Sequence, residues 1–182
     1  MKAEHWKTLD RKIVLNHPRM QLVEDVVELP NGKTAEYLRI APVKTHSVAI
    51  IAINEKQEIL LQKEYSYPPD SIMWQLPGGG IKNGEDILEA ANRELSEESG
   101  MVARSCKIIG SYYVNNRRSD EKQYVALCAD LHPKAGQPDD IEFIENYWIP
   151  IPKLQDMTAA GEIQNMYLLA ALNLWSCVAK GS

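Results

Sequence analysis

The sequence predicts an α/β or α+β layered domain preceded by a small antiparallel β extension. Residues 47–53 form a continuous apolar run, and with 58–65 after it the two look like strands of a better-buried sheet. In residues 86–99, Leu88, Ala91 and Leu95 recur at the three- and four-residue spacing of one helix face. Between residues 10 and 40, polar and apolar positions alternate in short bursts around Pro30-Asn31-Gly32-Lys33.

The extension comes first. Alternation over 21–29, a turn at Asn31-Gly32 and a second run over 34–40 read as a hairpin, with Asn-Gly supplying the positive φ angles of a type I′ turn. After Ala41-Pro42 the pattern becomes continuously apolar, so the division falls into an extension over 1–43 and a main domain over 44–182. Within the main domain, Gly100 supplies the stop of the 86–99 helix. Further β-like runs follow at 106–115, 123–130 and 143–149. Residues 163–179 are helical by length and Leu/Ala content, with an apolar face wide enough to pack on the sheet or at a dimer contact. There is no internal repeat, low-complexity tract or long linker.

Composition narrows the class of partner. A chain of 182 residues, 45% apolar and 25% charged, fits one well-buried core with a modest appendage. Its 20 Lys and Arg against 25 Asp and Glu leave a formal charge of -5, which argues against a nucleic-acid or anionic-membrane surface. A small anionic substrate remains compatible if a cation screens it. Cys106, Cys128 and Cys177 are odd in number and form no CxxC pair, so buried free thiols are expected rather than a disulfide framework or a zinc site. The charged start MKAEHWKTLDRK has no apolar signal region, and the longest apolar run, Met166–Ala179, contains Asn173 and Ser176. A spanning helix needs about 18 such residues. A soluble, cytoplasmic protein is the expectation.

The chemistry is concentrated in Leu76-Pro77-Gly78-Gly79-Gly80-Ile81-Lys82-Asn83-Gly84-Glu85 and the helix that follows. Glu94, Glu97 and Glu98 are related by three and four residues and therefore share a helical face. Like charges at that spacing destabilise a helix by about 0.2 to 0.5 kcal/mol per pair. They also stand in the last turns, where the negative end of the helix dipole opposes each carboxylate by about 0.3 to 1 kcal/mol. Arg93 can offset part of this through Glu97, but one guanidinium cannot neutralise three carboxylates. A hard divalent cation can, and oxygen-only ligands suit Mg²⁺ or Mn²⁺ better than zinc. Three consecutive glycines leave the nearby backbone open to a ligand. For an isolated Glu-Glu pair a solvated acidic face would be the better reading; the glycine loop and Arg93 reverse that preference.

The spacing of Gly79, five residues, Glu85, seven residues, Arg93-Glu94-Leu95, one residue, Glu97-Glu98, one residue, Gly100-Met101 resembles the complete Nudix box. The resemblance implies the α/β/α Nudix sandwich with a mixed sheet. It also implies Mg²⁺-dependent hydrolysis, with Mn²⁺ as a possible substitute, of a nucleoside diphosphate linked to another group. Carried over position by position, Glu94, Glu97 and Glu98 become the side-chain metal ligands and catalytic carboxylates, and Gly78 the position whose carbonyl commonly ligates metal. Gly79, Glu85, Arg93 and Gly100 become structural parts of the box, Glu85 and Arg93 as an ion pair joining loop to helix.

Beyond the box, the chain resembles the ADP-ribose pyrophosphatase-like and nucleotide-sugar branch in its β-rich extension, its Tyr65 to Pro68 segment and Gly161-Glu162-Ile163-Gln164-Asn165. That branch implies a homodimer in which the extension reaches the partner and an early aromatic stacks on the base. Trp6 is the candidate aromatic, with plain packing as its alternative, and Tyr37 is a second candidate. Ser66 and Asn116 depart from the branch's common Arg and Pro. Arg117 and Arg118 beside Asn116 are candidate phosphate contacts, against the alternative of a solvated loop end. For a carboxylate outside the box acting as general base, Glu142, in the acidic loop with Asp139 and Asp140, ranks ahead of Glu121. The expected reaction splits ADP-ribose or a related nucleoside diphosphate sugar into a nucleoside monophosphate and a sugar phosphate. Hydrolysis of a dinucleoside polyphosphate, a dinucleotide coenzyme or an oxidised nucleotide is the alternative, and a non-catalytic nucleotide sensor the remote one.

Overall fold

The computed structural model describes residues 4–41, 46–134 and 143–179. The chain forms two compact units: Met1–Thr45 with Tyr113–Lys122, and His46–Tyr112 with Gln123–Ser182.

In the first unit, β1 (Lys7–His17), β2 (Met20–Glu28) and β3 (Thr34–Ala41) form an antiparallel sheet in the order β1-β2-β3. On β2, Val23, Asp25 and Val27 alternate into the buried face. Asp25 accepts from Arg11 Nε at 2.6 Å and Arg39 Nε at 2.8 Å. Those guanidinium contacts, Arg11's foremost, hold its carboxyl below the usual range. The hairpin has the expected partners, but its connection is not type I′. Only Gly32, at φ 76°, takes a positive angle, and residues 29–33 form a longer loop in which Asn31 Oδ1 accepts from the Lys33 N–H. That side-chain bond holds the turn without Asn31 entering the left-handed region.

In the second unit, two sheets run β7-β4-β9-β8 and β10-β5-β6. Their strands are β4 (His46–Ala52), β5 (Glu58–Ser66), β6 (Ser71–Gln75), β7 (Gly78–Gly80), β8 (Met101–Tyr113), β9 (Lys122–Pro133) and β10 (Glu145–Pro150). The helices are α1 (Ile87–Ser99), α2 (Ile151–Ala159) and α3 (Met166–Ala179). Strand periodicity sends successive side chains to opposite faces. Val48, Ile50 and Ala52 of β4 therefore pack with Leu60 against Ala90, Ala91 and Leu95 of α1. Ala49 and Ile51 pack with Ile59 and Leu61 against Leu154 and Met157 of α2 and Leu168 and Ala171 of α3. Two cores on opposite faces of β4 and β5 make the α/β/α sandwich.

Three expectations need correction. Residues 163–179 are not one helix: α3 begins at Met166, behind Asn165, whose Oδ1 accepts from the Tyr167 and Leu168 N–H groups. A third helix, α2, precedes it, with a proline in its first turn where the missing N–H is no loss. Cys106 and Cys128 are not free thiols. They stand on neighbouring strands β8 and β9 with Cα atoms 4.3 Å apart and are joined as a disulfide, leaving Cys177 free and exposed. Among the described residues, no helix is long and apolar enough to cross a membrane.

Candidate metal and catalytic site

Helix α1 is set at both ends by local chemistry. Asp86 Oδ1 accepts from the N–H groups of Leu88 at 2.8 Å and Glu89 at 3.3 Å, satisfying first-turn donors. Gly100, at φ 67°, ends the helix in the left-handed conformation and donates its N–H to the Ser96 carbonyl. Leu95 is fully buried against β4, and Glu94, Glu97 and Glu98 run along the side of the last turns next to it.

The glycine loop is built as a short strand. Gly78, Gly79 and Gly80 of β7 pair antiparallel with Ala49, Val48 and Ser47 of β4. Gly78 has φ 152°, and a β-carbon there would run into the Val48 carbonyl oxygen. Its N–H donates to Glu98 Oε2 at 3.0 Å. At Gly79 a β-carbon would meet the Glu94 carboxylate, 2.5 Å from Cδ. Gly78 thus lets the loop lie close against β4 while its N–H holds Glu98, and Gly79 leaves room for the Glu94 carboxylate.

Arg93 ties the arrangement together. Its Nε and Nη2 donate to Glu85 at 2.7 and 3.0 Å, and Nη2 also donates to the Gly80 carbonyl at 3.0 Å. Nη1 reaches Glu94 at 2.8 Å and Glu97 at 3.1 Å. Glu85 further accepts from the Lys82 N–H at 2.8 Å. The Arg93 guanidinium first, and that backbone bond second, pull the Glu85 carboxyl down to about 2. In return Glu85, opposed by partial burial and helped by Glu94, raises the Arg93 pKa further above its ordinary value.

Among the described residues, no three His, Cys, Asp or Glu side chains converge on one metal-sized point. Arg93 draws Glu94 and Glu97 toward itself, while Glu98 turns to the Gly78 N–H. The donor chemistry nevertheless fits a hard divalent cation. Two of the three carboxylates, Glu94 and Glu97, share a single guanidinium that is already gripping Glu85, and the Glu97 side chain is 48% exposed. Behind Glu98 lies a contact that no motif marks: Asn146 Nδ2 donates to its backbone carbonyl at 2.8 Å.

The remaining candidates fall elsewhere. Trp6, Tyr37, Arg117 and Arg118 all belong to the first unit, where the structure gathers them. Trp6 and Tyr37 stand edge to face with centroids 6.1 Å apart, and Tyr37 Oη donates to the Arg117 carbonyl at 2.6 Å. Arg118 spends its Nη1 on the Leu38 carbonyl at 2.8 Å, whereas Arg117 is exposed. Glu121 is in the same unit, its N–H bonded to Ser119 Oγ at 3.0 Å. Glu142, with Asp139 and Asp140, lies outside the described residues.

A NUDIX domain family model matches residues 43–170. The chain belongs to the Nudix family. In this Nudix chain, residues 6–37 also match the nucleoside diphosphate sugar hydrolase N-terminal domain. It is 28% identical over 174 residues to the ADP compounds hydrolase NudE of Escherichia coli (strain K12), covering 92% of this chain and 93% of that protein. It is 29% identical over 147 residues to the ADP-ribose pyrophosphatase of Bacillus subtilis (strain 168), covering 80% and 78%. A crystal structure of an ADP compounds hydrolase superposes with a TM-score of 0.90, covering 100% of this chain and 97% of that one at 24% identity, so the Nudix fold is shared.

Proposed function

We propose that this Nudix hydrolase is a Mg²⁺-dependent pyrophosphohydrolase of ADP-ribose or a related nucleoside diphosphate sugar, releasing a nucleoside monophosphate and a sugar phosphate. The observation that carries the reading is the seating of Glu94 and Glu98 against Gly79 and Gly78, with Glu97 beside them on the same helix. Glu94, Glu97 and Glu98, with the Gly78 carbonyl, are the groups to hold the cation, and Mn²⁺ can substitute because it accepts the same oxygen donors. When bound, the cation neutralises phosphate oxygens and favours a nucleophilic water.

The chain's own groups do the positioning. The Gly78 N–H fixes the direction of the Glu98 carboxylate, and Arg93 keeps the loop against the helix through Glu85. A carboxylate outside the box takes the proton of the attacking water as its oxygen bonds to phosphorus and the bridging P–O bond breaks. Glu142 is assigned that role ahead of Glu121. Trp6 and Tyr37 offer aromatic surface to the base, and Arg117 a cation to phosphate. Homodimerisation through the 1–43 extension goes with this reading. It is supported by the exposure of Leu9, Ile13, Val14 and Leu15 along β1, and light scattering at the monomer mass would remove it. A cytoplasmic setting follows from the nucleotide substrate.

A second substrate reading, another ADP compound such as a dinucleotide coenzyme or a dinucleoside polyphosphate, is favoured by the likeness to the ADP compounds hydrolase over 92% of the chain. The deciding experiment is Mg²⁺-dependent hydrolysis of ADP-ribose, other nucleoside diphosphate sugars, dinucleotide coenzymes and diadenosine polyphosphates, with products resolved by chromatography and Glu98→Gln as control. AMP and ribose 5-phosphate as the preferred products support the first reading. Preference for a dinucleotide supports the second, and tight binding without turnover would mark a sensor.

A further inference from the structure

Three amides stand in one row across the sheet β10-β5-β6: Asn146, Gln62 and Gln75 are direct partners in its two antiparallel registers. Gln62, the middle one, is fully buried. Its Nε2 donates to Asn146 Oδ1 at 3.2 Å, and Asn146 Nδ2 donates to the Glu98 carbonyl at 2.8 Å. Gln75 turns away to Glu64. Among the described residues, Gln62 Oε1 has no hydrogen-bond partner.

The direction of this chain is forced from its helix end. The last carbonyls of a helix lack intrahelical donors, so Glu98 C=O requires one from outside. Asn146 must present its NH₂ there, which turns its oxygen toward Gln62. Gln62 must then present its own NH₂, which strands its oxygen. Leaving a buried acceptor unpaired costs about 1 to 3 kcal/mol, and an apolar side chain of similar shape would avoid that cost. The buried amide is therefore poorly explained by stability. What it does is hold the Asn146 amide in the one orientation that serves Glu98.

We infer that Gln62 and Asn146 form a positioning relay that fixes Glu98 from behind. The Asn146 bond holds the main chain of the residue whose carboxylate is held in front by the Gly78 N–H. With both ends tied, Glu98 keeps its place at the turn where the helix dipole and two neighbouring carboxylates push against it. Groups supporting a metal ligand from outside are worth about 10- to 100-fold in metal affinity. The inference rests on the reading of Glu98 as a metal ligand.

The test is direct Mn²⁺ binding without substrate, read from the electron paramagnetic resonance signal of the free ion, beside the thermal unfolding midpoint without metal. Asn146→Leu should weaken Mn²⁺ binding about ten-fold. Gln62→Met, which removes the stranded oxygen but keeps the side-chain length, should weaken it about three-fold while its unfolding midpoint stays equal or rises. A merely structural role would move the midpoint down together with binding, and that result in Gln62→Met overturns the relay. So does wild-type Mn²⁺ affinity in either variant. Glu98→Gln separates the two levels: if it binds Mn²⁺ as tightly as the wild type, the metal-site reading itself fails. If it loses binding while Asn146→Leu does not, the relay alone fails.

Discussion

A β-carbon on Gly79 would stand 2.5 Å from the carboxyl carbon of Glu94, so the loop and the helix are matched at that point to within one methyl group. The obstacle would be the end of a flexible side chain, not backbone. Gly79→Ala should therefore leave the fold standing and push the Glu94 carboxylate aside. The expected result is a rise in the Mg²⁺ concentration for half-maximal activity of about ten-fold, with a thermal midpoint close to wild type.

Glu98→Gln keeps the shape of the side chain and an oxygen for the Gly78 N–H while removing one charge from a crowded face. Turnover should fall by about 100-fold or more. Stability should hold or improve slightly, because about 0.2 to 0.5 kcal/mol of like-charge repulsion is relieved per neighbouring pair. Steady-state kinetics and urea unfolding on the same preparation check both halves.

Acid should loosen the loop through Glu85. Its carboxyl is drawn from the ordinary 4.5 down to about 2, so its pairing with Arg93 stabilises the folded chain fully above pH 4.5 and is lost as pH falls toward 2. Glu85→Gln removes that dependence. Urea unfolding of wild type and variant should differ clearly at pH 7, and the gap should shrink progressively between pH 4.5 and 2. A gap that stays constant over that range would show that the pair adds nothing beyond shape.

Thiol titration of denatured, unreduced protein should find one reactive cysteine, Cys177, and reduction beforehand should raise the count to three. Three thiols without reduction would mean that Cys106 and Cys128 remain unjoined in solution. In a reducing compartment such pairs are usually held open, so protein prepared under cytosolic redox conditions and after air oxidation should be compared.

What the sequence revealed was what is decided locally. Asp86, Gly100 and the Leu88, Ala91, Leu95 stripe lie within one helix length, and they placed α1. Contacts made across distance were hidden. Cys106 and Cys128 are 22 residues apart with no motif between them, and only the pairing of β8 with β9 brings them face to face. Helix α2 is short, with Pro150 before it and a proline in its first turn, and carries no apolar stripe long enough to mark a helix. Within the box, the Glu97 partner of Arg93 was visible from helical spacing, but its reach to the Gly80 carbonyl depends on where β4 holds β7. Asn146 carries no sequence signal at all, being one polar residue on a short strand whose importance comes from the helix end beside it.

The two-sided burial of β4 also sets an order in time. Every residue from Val48 to Ala52 is sealed between two helix layers, while β1 is exposed along its whole length. In deuterated solvent, the amides of β4 should be among the last to exchange and those of the β1 edge among the first, since opening free energy follows local burial. Because β7 and α1 both rest on β4, the proposed metal site is anchored to the strand expected to open last.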